Sequence, residues 1–197
     1  MPMRGSRDDV LTVPNLLSFY RLAMAPIIIA LALTEQRTAF IVLLCISFVT
    51  DVLDGYIART WNLATPLGAW LDSIADELTY VAALVGIFQF EYQALQPHIS
   101  MLYMFIGFVV LAALVPMVKF RKAPSFHLYS FKANALLQGV FIVTLFVFGF
   151  NPYLYYLAMA VGILACLEAI GVALVIDKPI SNARSLFWVL GQRNRTP

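Results

Sequence analysis

The chain reads as an all-α membrane protein, a bundle of six transmembrane helices with both termini cytoplasmic and a short N-terminal juxtamembrane segment. Three observations predict this class. Hydrophobic residues make up 61% of its 197 residues and charged residues 12%, against roughly 45–50% and 25% in soluble domains. The mean hydropathy is +0.83. The apolar runs are long and unbroken, whereas a membrane β-barrel needs short alternating segments.

Six apolar runs cover approximately 17–34, 38–58, 68–90, 100–119, 131–150 and 152–176, each near the roughly 20 residues that cross a bilayer. Polar breaks separate them at Thr34–Arg37, Arg59–Pro66, Glu91–His98, Lys119–Ser130 and Asn151-Pro152. The last is a tight turn, because Pro152 cannot continue one helix and suits the start of the next. Of the 13 lysines and arginines, only Arg37 falls on the side away from the termini. The positive-inside rule then puts both termini in the cytoplasm. Residues 1–16 form the juxtamembrane segment, 17–176 the transmembrane domain and 177–197 a tail, cytoplasmic or lying along the membrane surface. In the tail Phe187, Trp188 and Leu190 are placed to insert.

Other classes fit less well. Arg4, Arg7 and Arg21 before an apolar run ending Ala30-Leu31-Ala32 have the outline of a secretory signal, but Asp8, Asp9 and Pro14 suit it poorly. A net charge of +2 without a basic stripe speaks against nucleic acid. Cys45 and Cys166, both in apolar runs, read as small buried hydrophobes.

The chemistry concentrates between Asp51 and Asp76, where Asp51, Asp54, Asp72 and Asp76 interrupt membrane-grade sequence. A bare carboxylate there costs at least about 2.5–3.5 kcal/mol, and four would repel one another. Asp51 and Asp54 are three apart, Asp72 and Asp76 four apart, so each pair shares a helical face. The second and third spans then form a hairpin on which facing pairs enclose two divalent cations, Mg²⁺ or Mn²⁺. The bland reading has the acids paired with bases as helix glue. Only Arg59 lies in the same window, however, and one guanidinium cannot satisfy five acids, Glu77 included. Gly55, Ala58 and Gly68 remove bulk beside the acids, and Arg59 is placed for a phosphate. A phosphorylated substrate on two metals suits displacement at phosphorus.

The pattern Asp51-x2-Asp54-Gly55-x2-Ala58-Arg59-x8-Gly68-x3-Asp72-x3-Asp76 resembles, at every fixed position, the signature of the CDP-alcohol phosphotransferases. Pro14-Asn15-Leu16-Leu17-Ser18-Phe19-Tyr20-Arg21 resembles the segment opening the first span in the phosphatidylglycerophosphate and cardiolipin synthase branch. The resemblance implies a metal-dependent transfer of a phosphatidyl group from CDP-diacylglycerol to an alcohol, with release of CMP, by a homodimer in the membrane. It implies that Asp51, Asp54, Asp72 and Asp76 ligate the cations and that Asp76 also acts as general base. Gly55, Ala58, Arg59 and Gly68 would hold the CDP moiety, and Asn15 and Arg21 would assist at the phosphates. The chain departs from the phosphatidylglycerophosphate branch at Glu77, where a lysine is common, and at Asp72-Ser73 in place of Asp-Pro.

The segment from Lys119 to Lys132 is the other polar concentration. Arg121, His127 and Lys132 are candidates for an acceptor's phosphate, and Lys119–Lys122 equally reads as a patch for anionic headgroups. Gln138 reads as helix packing, Tyr153, Tyr155, Tyr156 and Trp188 as interface anchors, and His98 as an interface residue. Glu168 pairs with a base or bonds a neighbouring helix. Glycerol 3-phosphate is the first choice of acceptor, with phosphatidylglycerol or inositol phosphate as alternatives. An intramembrane prenyltransferase fits the aspartate spacing less well. A cation transporter, the non-enzyme alternative, gives Gly55, Ala58, Arg59 and Gly68 no role.

Overall fold

A computed structural model describes residues 12–61, 63, 65–121, 128–176 and 185–193. Among these the regular elements are all helical: α1 (Val13–Leu33), α2 (Arg37–Thr60), α3 (Pro66–Phe90), α4 (Tyr92–Leu95), α5 (Ile99–Phe120), α6 (Tyr129–Phe148), α7 (Pro152–Val175) and α8 (Leu186–Arg193). A 3-10 turn, Gln96–His98, links α4 to α5. Five stretches are long and apolar enough to cross a membrane: α1, α2, Tyr92–Phe120, α6 and α7. The remaining run of the sequence, 68–90, is α3, whose 25 residues include Asp72, Asp76 and Glu77. The starts of α1, α3 and α7 share one device. Thr12, Thr65 and Asn151 each accept a backbone N–H of the first turn on their side-chain oxygen, with a proline following the cap. Such caps satisfy donors that a helix start otherwise orphans.

The chain divides into two compact units, Met1–Tyr92 and Gln93–Pro197. In the first, α1 packs against both α2 and α3, while α2 and α3 touch each other much less. The hairpin expected of the second and third spans thus gains α1, which packs against both of its helices. Local composition explains this packing. The buried residues of α1 recur every three or four positions, from Asn15 and Ser18 through Arg21, Ala25, Ile28 and Ala32. On α3 the buried face is largely small, with Ala75, Ala82, Ala83 and Gly86, so neighbouring backbones can approach closely. At the end away from the aspartates, Phe40 is fully buried and its ring stands 5.3 Å from that of Phe90. Arg37 donates to Glu91 at 2.6 Å. This pair joins the start of α2 to the end of α3.

In the second unit α7 is the hub, packed against α5, α6 and α8. Tyr155 is fully buried and donates its hydroxyl to the His98 carbonyl at 2.9 Å. Its expected role as an interface anchor is therefore overturned: its ring packs against Phe141 and Phe150. Tyr153 and Tyr156 are exposed, and Tyr156 bonds the His98 ring. Gln138 donates to the Ala158 carbonyl at 3.1 Å, the packing role the sequence suggests. Glu168 bonds a neighbouring helix, accepting the Leu186 N–H at the start of α8. Trp188 is half-buried. It packs with Leu186 against the cluster of Leu128, Ala169, Val172, Ile176 and Val189. Gly171 on α7 faces α8, a Cβ there standing 3.3 Å from the Leu186 side chain. The side chains of Phe187 and Leu190, and residues 177–184, lie outside the described residues.

Gly86 tests the close packing of the first unit. A Cβ there would stand 2.1 Å from the Phe40 ring. Overpacking a core costs about 1–3 kcal/mol, more than the roughly 1 kcal/mol of helix propensity that alanine gains over glycine. Gly86→Ala should lower the thermal midpoint in detergent, and adding Phe40→Leu should recover most of the loss. An unchanged midpoint in the single variant would show that the ring yields freely.

Candidate active site

α1 carries Asn15, Ser18 and Arg21 at three-residue intervals, so an otherwise apolar helix turns a polar stripe towards α2 and α3. All three are buried, with Arg21 1% exposed. The Arg21 guanidinium meets all four aspartates. Its Nη1 donates to Asp51 at 2.7 Å and to Asp76 at 2.5 Å. Its Nη2 donates to Asp54 at 2.7 Å and to Asp72. Each terminal nitrogen therefore joins one carboxylate of α2 to one of α3. This corrects the argument that only Arg59 was available to the acids. Arg59 is exposed, with its guanidinium lying near Gly55. The acids' basic partner comes instead from α1, thirty residues upstream of Asp51. The signal for it was present in the spacing of Asn15, Ser18 and Arg21.

One guanidinium leaves the four carboxylates with a formal charge of −3. Three of them, Asp51, Asp72 and Asp76, offer oxygens that lie within 4.8 Å of one another. Their side chains are 38%, 42% and 40% exposed, against 5% for Asp54. Asp54 is the buried member, accepting also from Ser18 Oγ at 3.2 Å. An all-oxygen donor set with excess negative charge fits a hard divalent cation. Asp51, Asp72 and Asp76 are the residues that would hold it first. Glu77 is exposed and is not one of the clustered acids.

Beside the acids lies a cleft of about 200 Å³ lined by Pro14, Asn15, Ser18, Asp54, Gly55, Ala58, Arg59, Leu63, Thr65, Gly68, Ala69 and Asp72. All four residues that the resemblance assigns to a CDP moiety are on its wall, with Asn15 among them. Asp54 and Asp72 belong to both the cleft and the carboxylate cluster. Gly68 leaves room for the Asn15 amide, because a Cβ there would stand 2.3 Å from Asn15 Oδ1. The Asn15 amide nitrogen in turn donates to Thr65 Oγ1 at 3.4 Å, and that oxygen caps α3 through Gly68 N at 2.9 Å.

The remaining candidates sit in the second unit. Lys119 donates to the carbonyls of Ala173 and Leu174 at 3.0 and 2.9 Å, so it caps the end of α7. Arg121 is exposed at the end of α5, in the left-handed region with φ 53°. Lys132 is exposed, its ammonium 6.0 Å from the Tyr129 ring centroid. His127 and Lys122 lie outside the described residues.

Residues 11–167 match the family CDP-alcohol phosphatidyltransferase. The chain belongs to that family. It is similar to the cardiolipin synthase (CMP-forming) of Streptomyces coelicolor, 40% identical over 43% of this chain and 42% of that protein. It is 34% identical to the Rattus norvegicus cardiolipin synthase (CMP-forming), over 61% of this chain and 39% of the relative. The CDP-diacylglycerol--glycerol-3-phosphate 3-phosphatidyltransferase of Haemophilus influenzae is 41% identical over 41% of this chain and 45% of that protein. The chain thus covers less than half the length of each of these relatives. No solved structure matches it significantly.

Gly68→Ala should push the Asn15 amide off Thr65 and narrow the cleft. The variant should bind CDP at least about tenfold more weakly, a loss of some 1.4 kcal/mol, while its Mn²⁺ uptake changes little. Titration calorimetry with each ligand checks this, and equal losses for both would mean the substitution disturbs the whole unit.

Proposed function

We propose that this chain is an integral membrane transferase that moves a phosphatidyl group from CDP-diacylglycerol to an alcohol, with glycerol 3-phosphate as the acceptor. The observation that carries this reading is the sharing of Asp54 and Asp72 between the carboxylate cluster and the adjacent cleft. A nucleotide in the cleft would have its phosphates beside the acids. The relatives, CMP-forming synthases and a glycerol-3-phosphate phosphatidyltransferase, support the same chemistry.

In this reading Gly55, Ala58 and Gly68 let the nucleotide approach the backbone, and the Arg59 fork pairs with a phosphate oxygen. Asp51, Asp54, Asp72 and Asp76 hold two divalent cations, Mg²⁺ or Mn²⁺. Cations held there would supply charge to neutralise the diphosphate and the departing CMP. Asp76 accepts the proton of the acceptor hydroxyl, whose own acidity is far too low for attack. The new bond joins that oxygen to the phosphorus bearing the lipid, and the phosphorus–oxygen bond to CMP breaks. The five apolar spans and the acid-bearing α3 form a six-span bundle with both termini and the site on the cytoplasmic side of a bacterial inner membrane. The family resemblance supports a homodimer.

Phosphatidylglycerol is the second reading of the acceptor. It is favoured by Glu77 beside Asp76, where phosphatidylglycerophosphate synthases commonly carry lysine, and by the cardiolipin synthases among the relatives.

Purified protein should release CMP from CDP-diacylglycerol only with Mg²⁺ or Mn²⁺ and an acceptor. A panel of acceptors read by product mass assigns the alcohol, and release that persists in chelator would sink the mechanism. Asp76→Asn should cut turnover by at least about a hundredfold, the lower end of a general base's contribution. Its binding of CDP-diacylglycerol should fall far less, and parallel losses in both would argue against a base.

A further inference from the structure

We infer that Arg21 is a resident counter-ion with which divalent cations compete: it holds the four aspartates together before cations enter and yields carboxylate oxygens to them as they bind. This rests on the reading of the aspartates as the cation site. Three observations carry it. The Arg21 fork bonds all four carboxylates, each terminal nitrogen spanning α2 and α3. Three of those carboxylates are the ones whose oxygens converge within 4.8 Å, so guanidinium and cation call on the same groups. The buried Nε of Arg21 has no hydrogen-bond partner among the described residues. The guanidinium's hydrogen bonds are thus the ones that the cations contest.

Charge explains why such a residue is useful. Four carboxylates gathered in a membrane repel strongly until something positive arrives. An arginine supplies that charge permanently, because it does not deprotonate in proteins. For the same reason it cannot neutralise itself when a cation enters, and its bonds must instead be given up or shared. A planar fork can serve four oxygens at once, whereas an ammonium is a single point of charge. The consequence is a site that stays assembled when empty and binds cations less tightly than four unopposed carboxylates would.

The test uses the whole chain in detergent, with Mn²⁺ uptake read by electron paramagnetic resonance and thermal midpoints taken in EDTA and in saturating Mn²⁺. Arg21→Gln should bind Mn²⁺ at least about tenfold more tightly than wild type, a modest outcome for removing one charge a few ångströms from a dication. Its midpoint should fall much further in EDTA than in Mn²⁺. Arg21→Lys, which keeps the charge but not the fork, should stay within a few-fold of wild type in Mn²⁺ affinity while its EDTA midpoint is lowered. Unchanged or weaker Mn²⁺ binding by Arg21→Gln overturns the inference. A glutamine variant folded in Mn²⁺ but not in EDTA supports it, and one folded in neither overturns it, since cations would then fail to replace the guanidinium. Wild-type protein that takes up no Mn²⁺ removes the aspartate site itself, and the inference with it.

Discussion

The contact between Arg21 and the four aspartates is the constraint around which the first unit is organised. A buried cation beside clustered acids is not a cheap source of stability, since desolvation consumes much of the Coulomb gain. Its value here is geometric. Arg21 reaches Asp51 and Asp54 on one side and Asp72 and Asp76 on the other, which requires α1 to lie between α2 and α3. The same placement brings Asn15 and Ser18 to the wall of the cleft. Arg21 and Asp54 are the buried members of the cluster, and breaking a buried pair costs about 3–5 kcal/mol, so the site and the packing of the unit are tied together.

The first unit is graded along its length. One end is polar, with the acids, Arg21 and the Asn15–Thr65 contact. The other is apolar, with Phe40 seated on Gly86 and closed by the Arg37–Glu91 pair. Small residues make both ends feasible: Gly68 admits the Asn15 amide, and Gly86 admits an aromatic ring. An added methyl at either position removes space rather than adding useful contact.

The second unit shows how a membrane chain spends its scarce polar groups. Lipid offers no hydrogen bonds, so helix ends must find partners within the protein. Lys119 satisfies carbonyls at the end of α7, and Glu168 satisfies an N–H at the start of α8. Viewed in sequence, Lys119 is a candidate for a headgroup, while Glu168 pairs with a base or bonds a neighbouring helix. In the fold each bonds the backbone of a neighbouring helix end.

The sequence by itself determined the helical class, the approximate spans, the proline-marked helix starts and the aspartate–glycine pattern that identifies the chemistry. These are local or periodic properties, written in hydropathy, capping residues and spacing within about 25 positions. Only the tertiary structure decided that α1 joins the hairpin, that Arg21 is the partner of all four acids, and that Asp54 is buried while the other three stay open. It also turned Tyr155 from an expected surface anchor into a packed residue. Those outcomes depend on which helices meet. A one-dimensional pattern shows that a helix has a polar face, but not which neighbour that face will find. Electrostatic pairing over thirty or more residues, as between Arg21 and the acids, is settled by that choice.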